Sequence, residues 1–281
     1  MNTLNKTKEL LNRFGLYAKK GFGQNFLVDD SVLEKIVEAG NVSKEDTVIE
    51  IGPGLGNLTE YLLDKAGKVI AFEIDADMIE ILKSRFGDKD NFKLVNADIM
   101  EVDLKEYIKG SVKVIANLPY YITTPILFKL LEYKEYVTDI VIMVQREVAE
   151  RLLATPKGKE YGVLTVNTNY VSDASLVTIV PNTSFIPAPN VTSAVVKLEI
   201  NLDKAKGIED EELFKRLVKA AFSARRKKVI NSVMNANVFS VTKEELTSYI
   251  VSLGFSENVR AEEIPTEKYI ELANMLKKSN G

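Results

Sequence analysis

Near the middle of the chain stand Asn117-Leu118-Pro119-Tyr120, and these four residue types suit one kind of chemistry. An aryl amine such as the N6 group of adenine is a poor nucleophile, because its lone pair is delocalised into the ring. Acceptors aimed at its two protons, here the Asn117 amide oxygen and the Leu118 main-chain carbonyl, would draw the nitrogen towards tetrahedral geometry. Pro119 stiffens the turn and removes a competing N–H. The Tyr120 ring offers a surface on which a base extracted from its helix can stack. Attack on a methyl group must then run nearly in line with the leaving atom, which is a matter of positioning. The plain alternative is an Asn-initiated turn. Neither a metal nor a strong base is called for, and the composition agrees: the 281 residues include no histidine and no cysteine. Ser-His-Asp triads, thiol nucleophiles, disulfides and metals held by His or Cys are thereby excluded. An all-carboxylate metal site stays open in principle.

A second constellation lies upstream. Glu50-Ile51-Gly52-Pro53-Gly54-Leu55-Gly56 follows a strand-like run and opens a helix-like one. Glycines there let the backbone turn sharply and approach a ligand, with a helix N-terminus behind. Glu73 closes the next strand about twenty residues on, where an acid can bind ribose hydroxyls. This pair is shared by nicotinamide and S-adenosylmethionine enzymes. Asp98, ending the third strand, is placed to accept a hydrogen bond from an adenine amino group, or else to make an Asx turn. A nicotinamide dehydrogenase also needs an acid–base partner, commonly the absent histidine, so the balance tilts to S-adenosylmethionine.

These residues must be carried on a frame, and the patterning describes one. TVIEI (47–51), KVIAFEI (68–74), FKLVNA (92–97), VKVIANL (112–118) and DIVIMV (139–144) read as strands. Helix-like stretches lie around 57–66, 75–86 and 123–133, the last with Thr124 as candidate N-cap and Pro125 at the first helical position. Nearly continuous apolar strands separated by helices mean a parallel sheet covered on both faces. VLTVNTNYV (163–171) and SAVVKLEI (193–200) have no helix between them and are expected to add an antiparallel, hairpin-like edge. The proline-rich 181–191 between them reads as a stiff extended loop. After about residue 206 the periodicity is helical: 212–234, 243–254 and 266–278. Asp29-Asp30-Ser31 reads as a helix N-cap. No apolar run approaches the length of a membrane span, and the start has no signal-peptide pattern, so a cytoplasmic protein is expected.

The net charge of −3 is unevenly spread: residues 1–180 carry −5 and residues 181–281 carry +2. Between Glu212 and Glu244 there is no acid, while Lys215, Arg216, Lys219, Arg225, Arg226, Lys227 and Lys228 crowd together. Such a block is either a solvated helix face or a phosphate-binding surface.

Taken in order, these motifs resemble the KsgA/RsmA family, the bacterial small-subunit ribosomal RNA adenine N6,N6-dimethyltransferases. GQNFL (23–27), EIGPGLGNLT (50–59), FEID (72–75), NAD (96–98) and NLPYYITTPIL (117–127) are in that family's manner. So are SFIPAPNVTSAVVKL (184–198), AFSARRKKVINSV (221–233) and RAEEI (260–264). The resemblance implies an α/β fold, a class I S-adenosylmethionine-dependent methyltransferase domain with a seven-stranded, mainly parallel sheet. This would span residues 1–205, with a basic N-terminal segment 1–22, and be followed by a small all-α, RNA-facing domain over 206–281. It implies that Asn25 and Leu27 border the methionine part of S-adenosylmethionine and that Gly52 approaches its backbone. Glu73 would hold the ribose, Asp98 the adenine amino group, and Asn117 would sit between cofactor and target. Tyr120 and Phe185 would sandwich the flipped adenine. The implied reaction is transfer of four methyl groups to two adjacent adenosines near the 3′ end of 16S rRNA, on a precursor of the small ribosomal subunit, with a late role in its assembly. DNA is not the implied substrate, because Leu118 stands where DNA adenine methylases carry a proline. Neither a metal nor a membrane is implied. A rival from another class is a non-catalytic RNA-binding assembly factor that keeps the fold.

Overall fold

The computed structural model describes residues 2–15, 25–224 and 227–279. Seven strands form one sheet: β1 (Thr47–Ile51), β2 (Lys68–Glu73), β3 (Phe92–Asn96), β4 (Val112–Asn117), β5 (Val137–Gln145), β6 (Ser172–Val180) and β7 (Ser193–Ile200). Their order across the sheet is β3-β2-β1-β4-β5-β7-β6. From β3 to β5 every pairing is parallel: Val48 lies opposite Val69 on one side and Lys113 on the other, and Ala71 opposite Leu94. Strand β7 runs against its neighbour β5, with Gln145 opposite Ser193 and Asp139 opposite Glu199. The chain winds outward from β1 through β2 to β3, then returns past β1 to β4. The connections leaving β1 and β4 therefore diverge and open a crevice at the carboxyl ends of these strands.

Helices cover both faces, which is why the central strands are apolar without alternation. Val48, Val69, Ile115, Val141 and Val195 face one layer, packed with Leu33 and Ile36 of α2 (Asp30–Ala39) and Leu58 and Leu62 of α3 (Asn57–Lys65). Leu82 and Phe86 of α4 (Ala76–Phe86) close that layer. Their strand neighbours Ile49, Ile70, Val114 and Ile142 point the other way and are equally buried. Asp29 caps α2, accepting from the N–H groups of Ser31 and Val32, as its sequence context indicates. Helix α1 (Thr3–Phe14) lies ahead of these, and α5 (Thr123–Glu132) follows β4. Helix α5 begins one residue before the expected cap. Ile122 is the N-cap and caps with no side chain, while Pro125 falls in the first turn, where a missing N–H costs nothing.

The described chain divides into two compact units, residues 1–149 with 174–200, and residues 150–173 with 201–281. Residues 150–173, grouped by sequence with the first domain, thus belong to the helical unit. VLTVNTNYV, expected as a strand, is mostly helix there: α7 (Val163–Asn169), after α6 (Arg146–Leu152). Its β-branched residues favour strand by propensity, but tertiary burial overrides that preference. Its polar side chains bond back to its own turn: Asn167 Nδ2 donates to the Val163 carbonyl and Thr168 Oγ1 to that of Leu164. Tyr161 and Tyr170 flank it. The Tyr170 ring packs 5.3 Å from Phe214 of α8 (Glu211–Ala221), and its hydroxyl donates to Glu211. The strand the edge needs comes later, as β6. The helical run expected at 212–234 is broken: α8 ends at Ala221 and α9 spans Val229–Ala236, leaving Lys227 and Lys228 of the basic block on the connection. Helices α10 (Lys243–Ser252) and α11 (Thr266–Ser279) complete the unit. No helix among the described residues is long and apolar enough to cross a membrane.

Candidate active site

The crevice at the carboxyl ends of β1, β2, β3 and β4 is an open cleft lined by residues of all four strand ends. Its floor is the turn after β1. Gly52, Gly54 and Gly56 all have positive φ, and at Gly56, φ +83°, a Cβ would lie 2.5 Å from the Phe86 ring and 2.9 Å from Leu82. Only glycine lets α3 start so close to α4. Arg85 braces the same turn. Its guanidinium donates to the Leu55 carbonyl and pairs with Glu60 at 2.7 Å, and Lys6 of α1 takes the other Glu60 oxygen at 2.6 Å. Leu10, Leu11 and Phe14 of α1 pack on Phe26, Leu55 and Met78 beside the cleft.

Glu73 ends β2 on the cleft wall, and three backbone N–H groups hold its carboxylate. Ile74 and Asp75 donate to Oε1 at 2.9 Å each, and Gly54 to Oε2 at 3.1 Å. A carboxylate has about four lone-pair sites, so Oε2 keeps one for a ligand while the group cannot rotate. Burial pushes the Glu73 carboxyl up from its usual range, and the backbone donors oppose that shift. The neighbouring Ile74 side chain is 45% exposed on the same wall, an apolar surface open to a ring. Asp98 follows β3. Its Oδ1 accepts from the Met100 N–H at 2.8 Å, which is the Asx-turn reading, while Oδ2 has no partner among the described residues. Turn and ligand roles are compatible, one oxygen to each.

Asn117 is the last residue of β4 and lines the cleft, and its amide bonds to none of the described residues. The turn that follows is held at the Pro119 carbonyl, which accepts from Ile122 N–H at 3.2 Å and Thr123 Oγ1 at 3.1 Å. Those donors leave the Leu118 carbonyl alone. Tyr120 forms part of the wall, its hydroxyl 2.6 Å from Ser193 Oγ. Burial raises its phenol above the ordinary range, opposed by the Ser193 bond.

Nine of the ten predicted residues therefore meet on one cleft: Asn25 and Leu27 beside the glycine turn, then Gly52, Glu73, Asp98 and the run Asn117 to Tyr120. Phe185 does not. It pairs with Leu27 in a short antiparallel ribbon, Phe26–Leu27 against Phe185–Ile186. The Phe185 side chain packs in the core with Leu27 and Val180, where it is 3% exposed. Arg85 and Ser193 were not legible as site residues. Their roles come from long-range bonds that no local pattern announces.

Beneath the cleft lies Glu50, fully buried, with Thr59 Oγ1 donating to it at 2.6 Å. Burial pushes its carboxyl up to about 8, helped by the nearby Glu73 charge. Asn57, also on the cleft, donates to Thr7 Oγ1 and the Leu27 carbonyl, while its buried Oδ1 has no partner among the described residues.

Compared with known families, residues 15–278 match the one described as "Ribosomal RNA adenine dimethylase". The chain belongs to that family. It is an S-adenosylmethionine-dependent methyltransferase, and the resemblance read from its motifs holds. Proteins named ribosomal RNA small subunit methyltransferase A are similar over almost the full length. The one from Lactococcus lactis subsp. lactis is 44% identical, covering 96% of this chain and 94% of its own. The one from Clostridioides difficile is 40% identical, covering 98% and 96%. Among solved structures, a dimethyladenosine transferase from Plasmodium falciparum has a TM-score of 0.78 at 27% identity, over 90% of this chain and 97% of that one. The 23S rRNA methyltransferase ErmE has a TM-score of 0.69 at 24% identity, covering 90% of this chain and 100% of its own, a likeness of fold.

Proposed function

We propose that this enzyme transfers methyl groups to the N6 atoms of two adjacent adenosines near the 3′ end of 16S rRNA, on a precursor of the small ribosomal subunit in the cytoplasm. The observation that carries this reading is the meeting of Glu73, Asp98, Asn117 and Tyr120 on one cleft at the switch point of the sheet. The names of the relatives supply the small subunit.

The residues present fit S-adenosylmethionine. The glycine turn is a cradle that side chains would fill, and one Glu73 lone pair and Asp98 Oδ2 face the cleft without protein partners among the described residues. In this reading Glu73 holds the ribose hydroxyls and Asp98 the adenine amino group, while Ile74 covers the ring. Asn25, Leu27 and Gly52 border the methionine end. The cofactor supplies an electrophilic methyl group on a sulfonium.

The chain's own residues then act on the target base. Tyr120 carries the extracted adenine on its ring. The Asn117 amide oxygen and the Leu118 carbonyl accept the two N6 protons and turn the nitrogen lone pair out of conjugation. Leaving the Leu118 carbonyl unused by the turn keeps it available for this. Pro119 has no N–H to compete, and its φ of −59° is fixed by its ring. No side chain need be a strong base, since the quaternising amine gives its proton to water. Most of the gain is positional. Arg216, Lys219, Lys227 and Lys228, all exposed on the helical unit, bind RNA phosphates; Arg225 and Arg226 of the same block lie outside the described residues. The test is labelled methyl transfer to isolated small-subunit and large-subunit particles from cells lacking the enzyme. Label in the small subunit alone is expected; label in neither, or in the large subunit, overturns the proposal.

A further inference from the structure

Ser193 opens β7 with no exposed surface, directly opposite Gln145 of β5. The residue before it is clamped, because the Arg146 N–H donates to the Thr192 carbonyl at 3.0 Å. Its Oγ therefore sits on a rigid element at the cleft end of the sheet. Tyr120, by contrast, sits on a short turn held among the described residues by two bonds to the Pro119 carbonyl and by a 3.4 Å bond from the Leu118 N–H to the Met143 carbonyl of β5. The one polar anchor of the Tyr120 ring among the described residues is the 2.6 Å bond to Ser193. It is also the one hydrogen bond that the Ser193 hydroxyl makes with the described residues, so the buried Ser193 hydroxyl finds its partner in the half-buried Tyr120.

The polar restraint on the Tyr120 ring among the described residues is that one hydrogen bond. We infer that Ser193 is a positioning residue for methyl transfer: its hydroxyl fixes the Tyr120 ring from β7 and so sets the angle at which the stacked base presents its amine. An in-line displacement is sensitive to that angle, and a supporting group on a strand holds it better than the turn alone. The bond spans 73 residues of sequence, which is why no local motif contains it. The inference rests on the function proposed above, through the stacking role given to Tyr120.

The test compares Ser193→Ala, Tyr120→Phe, their combination and Ser193→Thr in single-turnover methylation of small-subunit particles at saturating S-adenosylmethionine. Either single removal of the bond is expected to slow methyl transfer about three- to tenfold, the scale of one hydrogen bond. The double variant is expected to be no slower than the slower single, since the two hydroxyls act as a unit. Ser193→Thr keeps the hydroxyl and is expected to restore the rate. Cofactor affinity of Ser193→Ala stays at the wild-type value, and its melting temperature falls only by the few degrees that one lost buried hydrogen bond costs. Independent effects that multiply in the double variant overturn the inference, as does a lowered melting temperature with an unchanged rate. A readout without RNA separates this inference from the function it rests on. The Tyr120 ring carbon signals in the NMR spectrum of the full chain are expected to show a fixed ring in wild type and a freely averaging one in Ser193→Ala. Unchanged signals in that variant sink the positioning role even if methylation is intact. Absent methylation with the expected NMR change sinks the assigned function and leaves the anchoring of the ring standing.

Discussion

Replacing Asp98 with asparagine exchanges one carboxylate oxygen in the cleft for an amide nitrogen and changes little else. Oδ1 already accepts the Met100 N–H at 2.8 Å, and an asparagine keeps that acceptor, so the turn after β3 survives. Oδ2 becomes an NH2, which meets the adenine amino group donor to donor. The loss is one hydrogen bond to a charged acceptor, about 1.5–3 kcal/mol. At about 1.4 kcal/mol per factor of ten, that weakens S-adenosylmethionine binding roughly 10- to 150-fold. Asp98→Ala loses the turn as well, so its melting temperature falls while that of Asp98→Asn does not. Calorimetric titration with the cofactor, beside thermal unfolding of each ligand-free variant, separates the two effects. Wild-type affinity in Asp98→Asn would refute the adenine role, and a lowered melting temperature in that variant would show that Oδ2 has structural work.

Other expectations follow from the same geometry. Glu50 is held protonated by burial, with its carboxyl pushed up to about 8, while an unfolded glutamate titrates near its ordinary value. The unfolded chain therefore binds fewer protons between those values. Stability contributed by this group falls as pH rises from about 4.5 towards 8, by at most about 1.4 kcal/mol per pH unit. Glu50→Gln, which mimics the protonated form, is expected to flatten that decline in denaturant titrations at pH 5 to 8; an unaltered slope would mean Glu50 is ionised. Gly56→Ala forces a left-handed φ on alanine and sets its Cβ against Phe86 and Leu82, costing about 2–4 kcal/mol in urea unfolding. Substituting alanine at Arg225, Arg226, Lys227 and Lys228 together is expected to flatten the log–log salt dependence of RNA affinity by about 0.9 for each phosphate that the variant ceases to neutralise. Parallel slopes with a lower melting temperature would assign that block to stability.

Much of the sheet was legible because parallel strands buried on both faces leave unbroken apolar runs. All five parallel strands fall within two residues of the expected spans. The cleft was legible for a related reason: in such a sheet the residues just past each strand converge, so Gly52, Glu73, Asp98 and Asn117 needed no distance information. What failed depended on tertiary context. Val163 to Asn169 has strand-like composition, and its helix exists because burial of Leu164, Val166 and the following Tyr170 overrides that preference. Phe185 sits in a motif that resembles a base-stacking segment, but its side chain packs in the core with Val180 and is 3% exposed, a placement set by contacts distant in sequence. The continuous helix expected through the basic block stops at Ala221 and resumes at Val229, with no proline between to announce it. Arg85 and Ser193 act through partners 30 and 73 residues away, beyond any local period.

The central claim is that this chain places two methyl groups on each of two neighbouring adenosines of 16S rRNA. Mass spectrometry of rRNA fragments from cells with and without the protein tests it most directly. Without the protein, one 3′-terminal 16S fragment should be lighter by four methylene masses, two on each of two adjacent adenosines. Restoring wild type, but not a variant with Asn117 replaced by alanine, should return them. Fragments of identical mass in the two cell types, or a difference confined to 23S rRNA, would contradict it.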